Sequence, residues 1–330
     1  MNELRTTELL RVSGLKMHFP IRRGVLARQV GNVLAVDGVD FTIAPGETLG
    51  LVGESGCGKS TLGRTLIRLT EPTAGSIHLD GQDITRLSPG ELRPLRRKMQ
   101  IVLQDPFSSL NPRLRAGASV IEPLSNFERL SPVTLRERTA ALFAKVGLPT
   151  NAMDQFPHEF SGGQRQRLGI ARALSVEPKL IVADEPVSAL DVSVQAQVIN
   201  LMLRLQRELG IAYVFISHDL AVVEHVSHRV AVMYLGRIVE IGGRDELFTT
   251  PLHPYTRALL AAAPVPDPFN KVRRQIVLGD VPSPSNPPAG CHFHPRCEQA
   301  GSRCRRQAPM LASKEAGHSV ACHLYSGGTA

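Results

Sequence analysis

The sequence predicts an α/β fold built on an open, largely parallel sheet. Strand-length apolar runs alternate with stretches of helical period, and glycine or proline turns separate them. Taken in order, Leu9–Leu15 alternates weakly and reads as an edge strand, residues 20–33 as a flexible basic loop, and Val36–Ile43 as strand again. Thr48–Val52 reads as a buried strand and Leu62–Leu69 as a helix, stopped by Pro72-Thr73-Ala74-Gly75. Ser76–Leu79 and Met99–Gln104 are short strands, the first followed by an Asp80-Gly81 turn. From Gly117 to about Leu148 the period becomes helical, with Leu135, Leu142 and Val146 on one face, which suggests a helical insert. Lys179–Ala183 and Ala212–Ile216 return to strand, with the helix Gln195–Leu209 between them, and Val230–Tyr234 with Val239–Ile241 makes a hairpin about Gly236.

The bulk numbers bound the function. The chain has 330 residues, 42% of them hydrophobic, enough for a full core and two folding units. No run reaches the roughly 18 apolar residues of a membrane span. The charged residues Glu3, Arg5 and Glu8 read as the absence of a secretory leader. The net charge of +8 suits nucleic acid, an anionic membrane surface or plain solubility. The absence of Trp and the 5% aromatic content argue against a base-stacking platform. Five cysteines without a leader read as metal ligands or reduced thiols rather than disulfides.

The chemistry centres on Gly53-Glu54-Ser55-Gly56-Cys57-Gly58-Lys59-Ser60-Thr61, which fits the phosphate loop G-x-x-x-x-G-K-[ST] and lies between a strand and a helix as that motif requires. The glycines let successive N–H groups turn around a β-phosphate, and the helix N-terminus adds roughly half a positive charge. Lys59 is placed for the β- and γ-phosphates and Ser60 for Mg²⁺. Cys57 reads as a small packing residue within the loop. Leu180–Asp184-Glu185-Pro186 is an apolar strand ending in two carboxylates, Asp184 placed to hold Mg²⁺ and Glu185 to orient water. Ser161-Gly162-Gly163-Gln164, about twenty residues earlier, starts a second helix with anion-binding character.

Together these motifs resemble the ABC-type ATPases, with Ser161–Gln164 as the signature motif, although Phe160 stands where the family usually has Leu. The resemblance implies a RecA-like P-loop NTPase core with an antiparallel β edge and an α-helical subdomain at about 105–175. It also implies ATP and Mg²⁺ as cofactors. Gln104 matches the Q-loop glutamine that contacts Mg²⁺, Ser188–Asp191 the D-loop, and His218 the switch histidine. Phe19 is the candidate for adenine stacking, with core packing as the equal alternative. His253-Pro254-Tyr255-Thr256-Arg257-Ala258-Leu259-Leu260 resembles the C-terminal extension of oligopeptide/dipeptide importer ATP-binding subunits. That division gives a nucleotide-binding domain at 1–250 and an extension at 251–330, with a proline-rich linker, seven prolines in 264–288, inside it.

The resemblance implies several partners: a second ATP-binding subunit that shares two nucleotides with this chain, two transmembrane permeases and an extracytoplasmic peptide-binding protein. It places the chain peripherally on the cytoplasmic face of the cell membrane. Nucleic acid is not expected as a partner. The rival function is a non-transport ABC ATPase acting on nucleic acid or ribosomes. Dipeptides, oligopeptides, glutathione and nickel chelates all remain open as solutes.

The tail holds Cys291, Cys297, Cys304 and Cys322 at C-x5-C-x6-C-x17-C, without the short knuckles typical of structural zinc. Iron–sulfur clusters accept more varied spacing, and the neighbouring Arg296, Arg303, Arg305 and Arg306 are expected to favour thiolates. Some peptide-importer subunits that this chain resembles carry a [4Fe–4S] cluster there. Zn²⁺ and unliganded thiols are the other two readings.

Overall fold

The computed structural model describes residues 8–25, 27–105, 109–262, 279–315 and 317–325. In chain order they include strands β1 (Leu10–Arg23), β2 (Arg28–Ile43), β3 (Thr48–Val52), β4 (Ala74–Leu79), β5 (Gln82–Asp83), β6 (Met99–Val102), β7 (Leu180–Asp184), β8 (Ala212–Ile216), β9 (Arg229–Tyr234), β10 (Arg237–Gly243), β11 (Ala312–Glu315) and β12 (His318–Val320). The α/β class stands as expected. The chain divides into two compact units, the first made of Met1–Leu10, Ile43–Thr48 and Leu79–Ser217, the second of Arg11–Thr42, Leu49–His78 and His218–Ala330.

In the first unit β6, β7 and β8 are parallel neighbours, Ala183 of β7 lying opposite Val102 and Phe215. Every residue of β7 and β8 is buried, which is why both segments read as unbroken apolar runs. The helical part holds Ala116–Ser125, Pro132–Lys145 and Gly162–Leu174. Leu135 and Leu142 pack on the buried Ile121, Leu124 and Val176, so the helical period of the sequence is the core face of this part. The long helix Val192–Leu209 stops at Gly210, whose φ of 66° is the left-handed cap that lets the chain turn back into β8.

In the second unit β3 runs parallel to β9, with Leu51 opposite Ala231. The β9–β10 hairpin is antiparallel, as its sequence suggests. β12 adds to β10 with Glu240 opposite Val320, and β11 adds to β12. A separate sheet has the order β2-β1-β4 in this unit.

Two sequence readings change. The flexible basic loop at 20–33 is mostly strand, since β1 runs to Arg23 and β2 begins at Arg28. Its residues are largely exposed, Val30 at 58%, so no buried face stamps an alternating pattern on them. The tail strands β11 and β12 went unread because four- and three-residue segments carry no period; pairing with β10 creates them. Of the expected linker, 264–278 lies outside the described residues, whereas Pro284 accepts a hydrogen bond from the Leu34 N–H at 3.0 Å.

A buried carboxylate ties the tail down. Glu240, 0% exposed, accepts from the N–H groups of Leu252 at 2.7 Å and His253 at 2.9 Å. His318 Nε2 of β12 lies 2.8 Å from the same carboxylate. His253 Nδ1 accepts from the Tyr255 N–H at 3.0 Å, and burial pushes the His253 pKa down to about 3. Between its ordinary 6.5 and about 3, the unfolded chain therefore binds a proton that the folded chain excludes. Acidification through that window should cost about 1.4 kcal/mol of stability per pH unit from this group. Chemical denaturation of wild type and His253→Asn at pH 7 and pH 4 checks it; the wild type should lose more on acidification.

Candidate nucleotide site

The phosphate loop leaves β3 at Val52 and enters the helix Lys59–Leu66, whose cap residue Gly58 has φ 107°. A Cβ at Gly58 would strike the Ala35 carbonyl of β2, and one at Gly53 (φ 152°) would strike the Met233 carbonyl of β9. Only glycine fits either place. The loop is therefore pressed against two strands at the start of its helix. Lys59, 6% exposed, donates to the Gly53 carbonyl at 2.7 Å and the Glu54 carbonyl at 3.0 Å. Cys57 is buried at 3%, with its Sγ 3.7 Å from Lys59 Nζ, and burial pushes its thiol pKa up. It fills space beneath the loop, as its sequence position suggests. Ser55, Gly56, Ser60 and Thr61 complete the run, Ser60 and Thr61 within the helix.

His218 is exposed between β8 and the helix Leu220–Val226, which Asp219 caps by accepting from the Ala221 and Val222 N–H groups at 3.0 and 3.3 Å. Phe19, near the middle of β1, is 40% exposed, so core packing is not its role.

The other expected groups lie in the first unit. Asp184 ends β7 at 3% exposure. Glu185 follows with φ 47°, a left-handed conformation that a non-glycine residue holds only at a cost of order 1–3 kcal/mol. Its N–H donates to the Ile216 carbonyl at 3.0 Å, and Ser188 donates back to its carbonyl through both N–H (3.3 Å) and Oγ (3.1 Å). Those three bonds hold the strained turn. Gln104 Nε2 donates to Glu185 Oε2 at 2.8 Å, so the glutamine named from sequence meets the carboxylate named from sequence.

Ser161 caps the helix Gly162–Leu174 in a reciprocal box: its Oγ accepts from the Gln164 N–H at 3.4 Å while Gln164 Oε1 accepts from the Ser161 N–H at 2.9 Å. A Cβ at Gly163 would strike Val194 Cγ1, and one at Gly162 would sit 3.4 Å from Leu190. The helix start is thus packed against Leu190 and Val194, and Asp191 between them stands at the N-terminal position of the helix Val192–Leu209. Phe160 is 3% exposed, so the larger side chain at this signature position is accommodated in the core.

A family profile described as "ABC transporter" matches residues 36–188, and one described as "Oligopeptide/dipeptide transporter, C-terminal region" matches 239–304. A probable peptide ABC transporter ATP-binding protein of Sinorhizobium fredii is 58% identical over 96% of this chain and 90% of its own length. The oligopeptide transport ATP-binding proteins AppF of Bacillus subtilis (54%; 96% and 98% covered) and OppF of Escherichia coli (51%; 95% and 95%) match similarly. The chain belongs to the ABC transporter ATP-binding family. Solved structures agree at the level of fold. The ATP-binding cassette MJ0796, dimeric with ADP and phosphate, gives a TM-score of 0.64 at 28% identity, covering 71% of this chain and 98% of that one. CbiO1 of Clostridium perfringens gives 0.63 at 28%, covering 74% and 92%.

This ABC subunit is accordingly an ATPase. Taken each by itself, the glycine-held loop at the start of the helix Lys59–Leu66 has the chemistry for phosphate, and Asp184, an acid buried at a strand end, has that for Mg²⁺. No described helix is long and apolar enough to cross a membrane.

The tail does not meet the sequence expectation. Among the described residues no three His, Cys, Asp or Glu side chains form a group that could hold a metal ion, so neither a [4Fe–4S] cluster nor Zn²⁺ at Cys291, Cys297, Cys304 and Cys322 is supported. Three of the four thiols are not activated either. Burial pushes Cys291 up to about 11, and also raises Cys297 and Cys322, with the other thiols adding to the shift. Two of the four arginines expected to favour thiolates are engaged elsewhere: Arg303 donates to Gln307 at 3.1 Å, and Arg296 forks onto Glu54. This last pair and Tyr255, which meets the same glutamate, were not read from the sequence. The available signal was Glu54 itself, an acid inside an anion-binding loop, which calls for a cation beside it.

Two outcomes follow. Glu185→Gln in the assembled complex should lower ATP turnover by about 10²–10⁴ while ATP binding survives; near-wild-type turnover would remove Glu185 from the role of base. Cys291 should alkylate with iodoacetamide far more slowly than a free thiol at pH 8, the rate climbing towards pH 11 as the thiolate forms.

Proposed function

We propose that this chain powers the import of peptides, as the ATP-hydrolysing subunit of a transporter. The match of 239–304 to the oligopeptide/dipeptide transporter C-terminal region carries this reading, and relatives named for peptide transport at more than half identity support it. Nothing in those relatives favours the rival, an ABC ATPase working on nucleic acid or ribosomes.

The proposed mechanism follows from this chain's residues. The N–H groups of Gly53–Thr61 and the Lys59 ammonium bind the β- and γ-phosphates. Ser60, Gln104 and Asp184 would hold Mg²⁺, which when bound neutralises phosphate charge. Glu185 takes the proton of the attacking water, and His218 donates to the γ-phosphate. Ser161, Gly162, Gly163, Gln164 and Asp191 act on the nucleotide of a second ATP-binding subunit. The MJ0796 cassette, solved as a dimer, supports such an assembly. Closure driven by ATP and release after hydrolysis then form the power stroke.

A groove of about 480 Å³ in the first unit, lined among others by Arg96, Gln100, Leu103, Glu122, Phe127 and Arg172, suits a short segment of a permease. It neighbours Gln104, so nucleotide state and membrane partner would be felt at one loop. The chain would then work peripherally at the cytoplasmic face of the cell membrane, with two permeases and an extracytoplasmic binding protein.

Deleting the chain should abolish uptake of labelled di- or oligopeptides, and a Lys59→Ala copy should fail to restore it. Unimpaired peptide uptake in the deletion strain, with loss of another solute's uptake, would replace peptide by that solute.

A further inference from the structure

The Glu54 carboxylate is an acid inside an anion-binding loop, and it is held firmly by the C-terminal region. Arg296, 242 residues away, donates Nη1 to Oε2 at 2.8 Å and Nη2 to Oε1 at 3.1 Å. This two-point fork fixes orientation as well as distance. The Arg296 side chain is 7% exposed and the Glu54 side chain 28%, so the cation is buried while the carboxylate keeps some contact with water. The Glu54 carboxylate beside it raises the Arg296 pKa further above its ordinary value. A second hold comes from Tyr255, whose hydroxyl accepts from the Glu54 N–H at 2.8 Å.

Both holding residues are themselves fixed. The rings of Tyr234, Tyr255 and Phe293 pack mutually, with centroids 4.7, 5.3 and 5.4 Å apart, and the Arg296 guanidinium lies 5.9 Å from the Tyr234 centroid. The His253 ring lies tilted against Phe293, with centroids 5.6 Å apart. Tyr234 ends β9, the strand beside β3, so the platform is anchored to the sheet from which the loop springs.

The grip continues inward. The Glu54 carbonyl accepts from Lys59 Nζ at 3.0 Å and from the Cys57 N–H at 3.3 Å. Side chain, N–H and C=O of one residue are thus all engaged, two from the C-terminal region and one from the catalytic lysine.

We propose that Arg296 and Tyr255 are positioning residues of the ATPase, which hold Glu54 and through it set the phosphate loop and Lys59 for the nucleotide. ATP affinity then depends on the C-terminal region through its hold on Glu54. The inference rests on the loop binding ATP. A plain structural ion pair, joining tail to body, would affect stability only, and kinetics separate the two.

The assembled transporter is assayed with Arg296→Met, which keeps the stem on Tyr234 but loses the fork, and with Arg296→Lys, Glu54→Gln and Tyr255→Phe. Arg296→Met should raise KM for ATP about ten-fold with kcat within about three-fold of wild type, the pattern of lost uniform binding. Arg296→Lys should recover part of that loss. Glu54→Gln combined with Arg296→Met should be no worse than the poorer single variant, because one interaction is removed once. A KM within two-fold of wild type in folded Arg296→Met, or additive losses in the double variant, overturns the proposal. If Arg296→Met does not fold, Glu54→Gln decides: unchanged KM overturns it and a raised KM supports it. Wild-type complex that fails to bind ATP would sink the ATPase reading itself, a result none of the variants can mimic.

Discussion

At Gly53 and Gly58 the main chain runs so close to neighbouring carbonyls that no side chain carbon fits. The rest of the site follows from that closeness. Pressed on β2 and β9, the loop cannot drift, so its N–H groups and the end of its helix keep one direction. Lys59 is drawn back over the loop because the carbonyls of Gly53 and Glu54 are brought within reach. The same device recurs in the other unit, where Gly163 lies hard against Val194 and seats the start of the signature helix on the turn through Asp191. Two helix starts in one chain both rest on clearance that glycine provides.

Asp184 and Glu185 show how adjacent residues of one type acquire different tasks. The first still belongs to a buried strand, and its register opposite Ile216 fixes it. The second leaves the strand through a left-handed turn, which breaks the alternation of side chains and aims it elsewhere. Gln104, reaching it from the loop after β6, makes the carboxylate a point where two segments meet.

What was legible in the sequence was local chemistry with a fixed spacing. Thr48–Val52, Gly53–Thr61, Ser161–Gln164 and Asp184-Glu185 could be read because each motif states its own geometric requirement, and the helical face of Leu135 and Leu142 because burial imposes a period. What was hidden depends on distant partners. Nothing near Glu54 in the chain announces Arg296. The arginines beside the cysteines suggested activated thiols, but proximity in sequence says little about where a long side chain ends, and Arg296 and Arg303 turn to other acceptors. The basic hairpin of β1 and β2 escaped notice for a different reason: an exposed ribbon has no dry side to leave a signature.

The tail also changes what the molecule shows its neighbours. Without β12, Glu240 and Ile241 of β10 would offer a row of bare amide and carbonyl groups, an invitation for a foreign strand to dock. Folding its own last residues over that row leaves only the four-residue β11 at the margin, with Lys314 in it. Self-association, rather than lost chemistry, is therefore the first cost that a shortened chain would reveal.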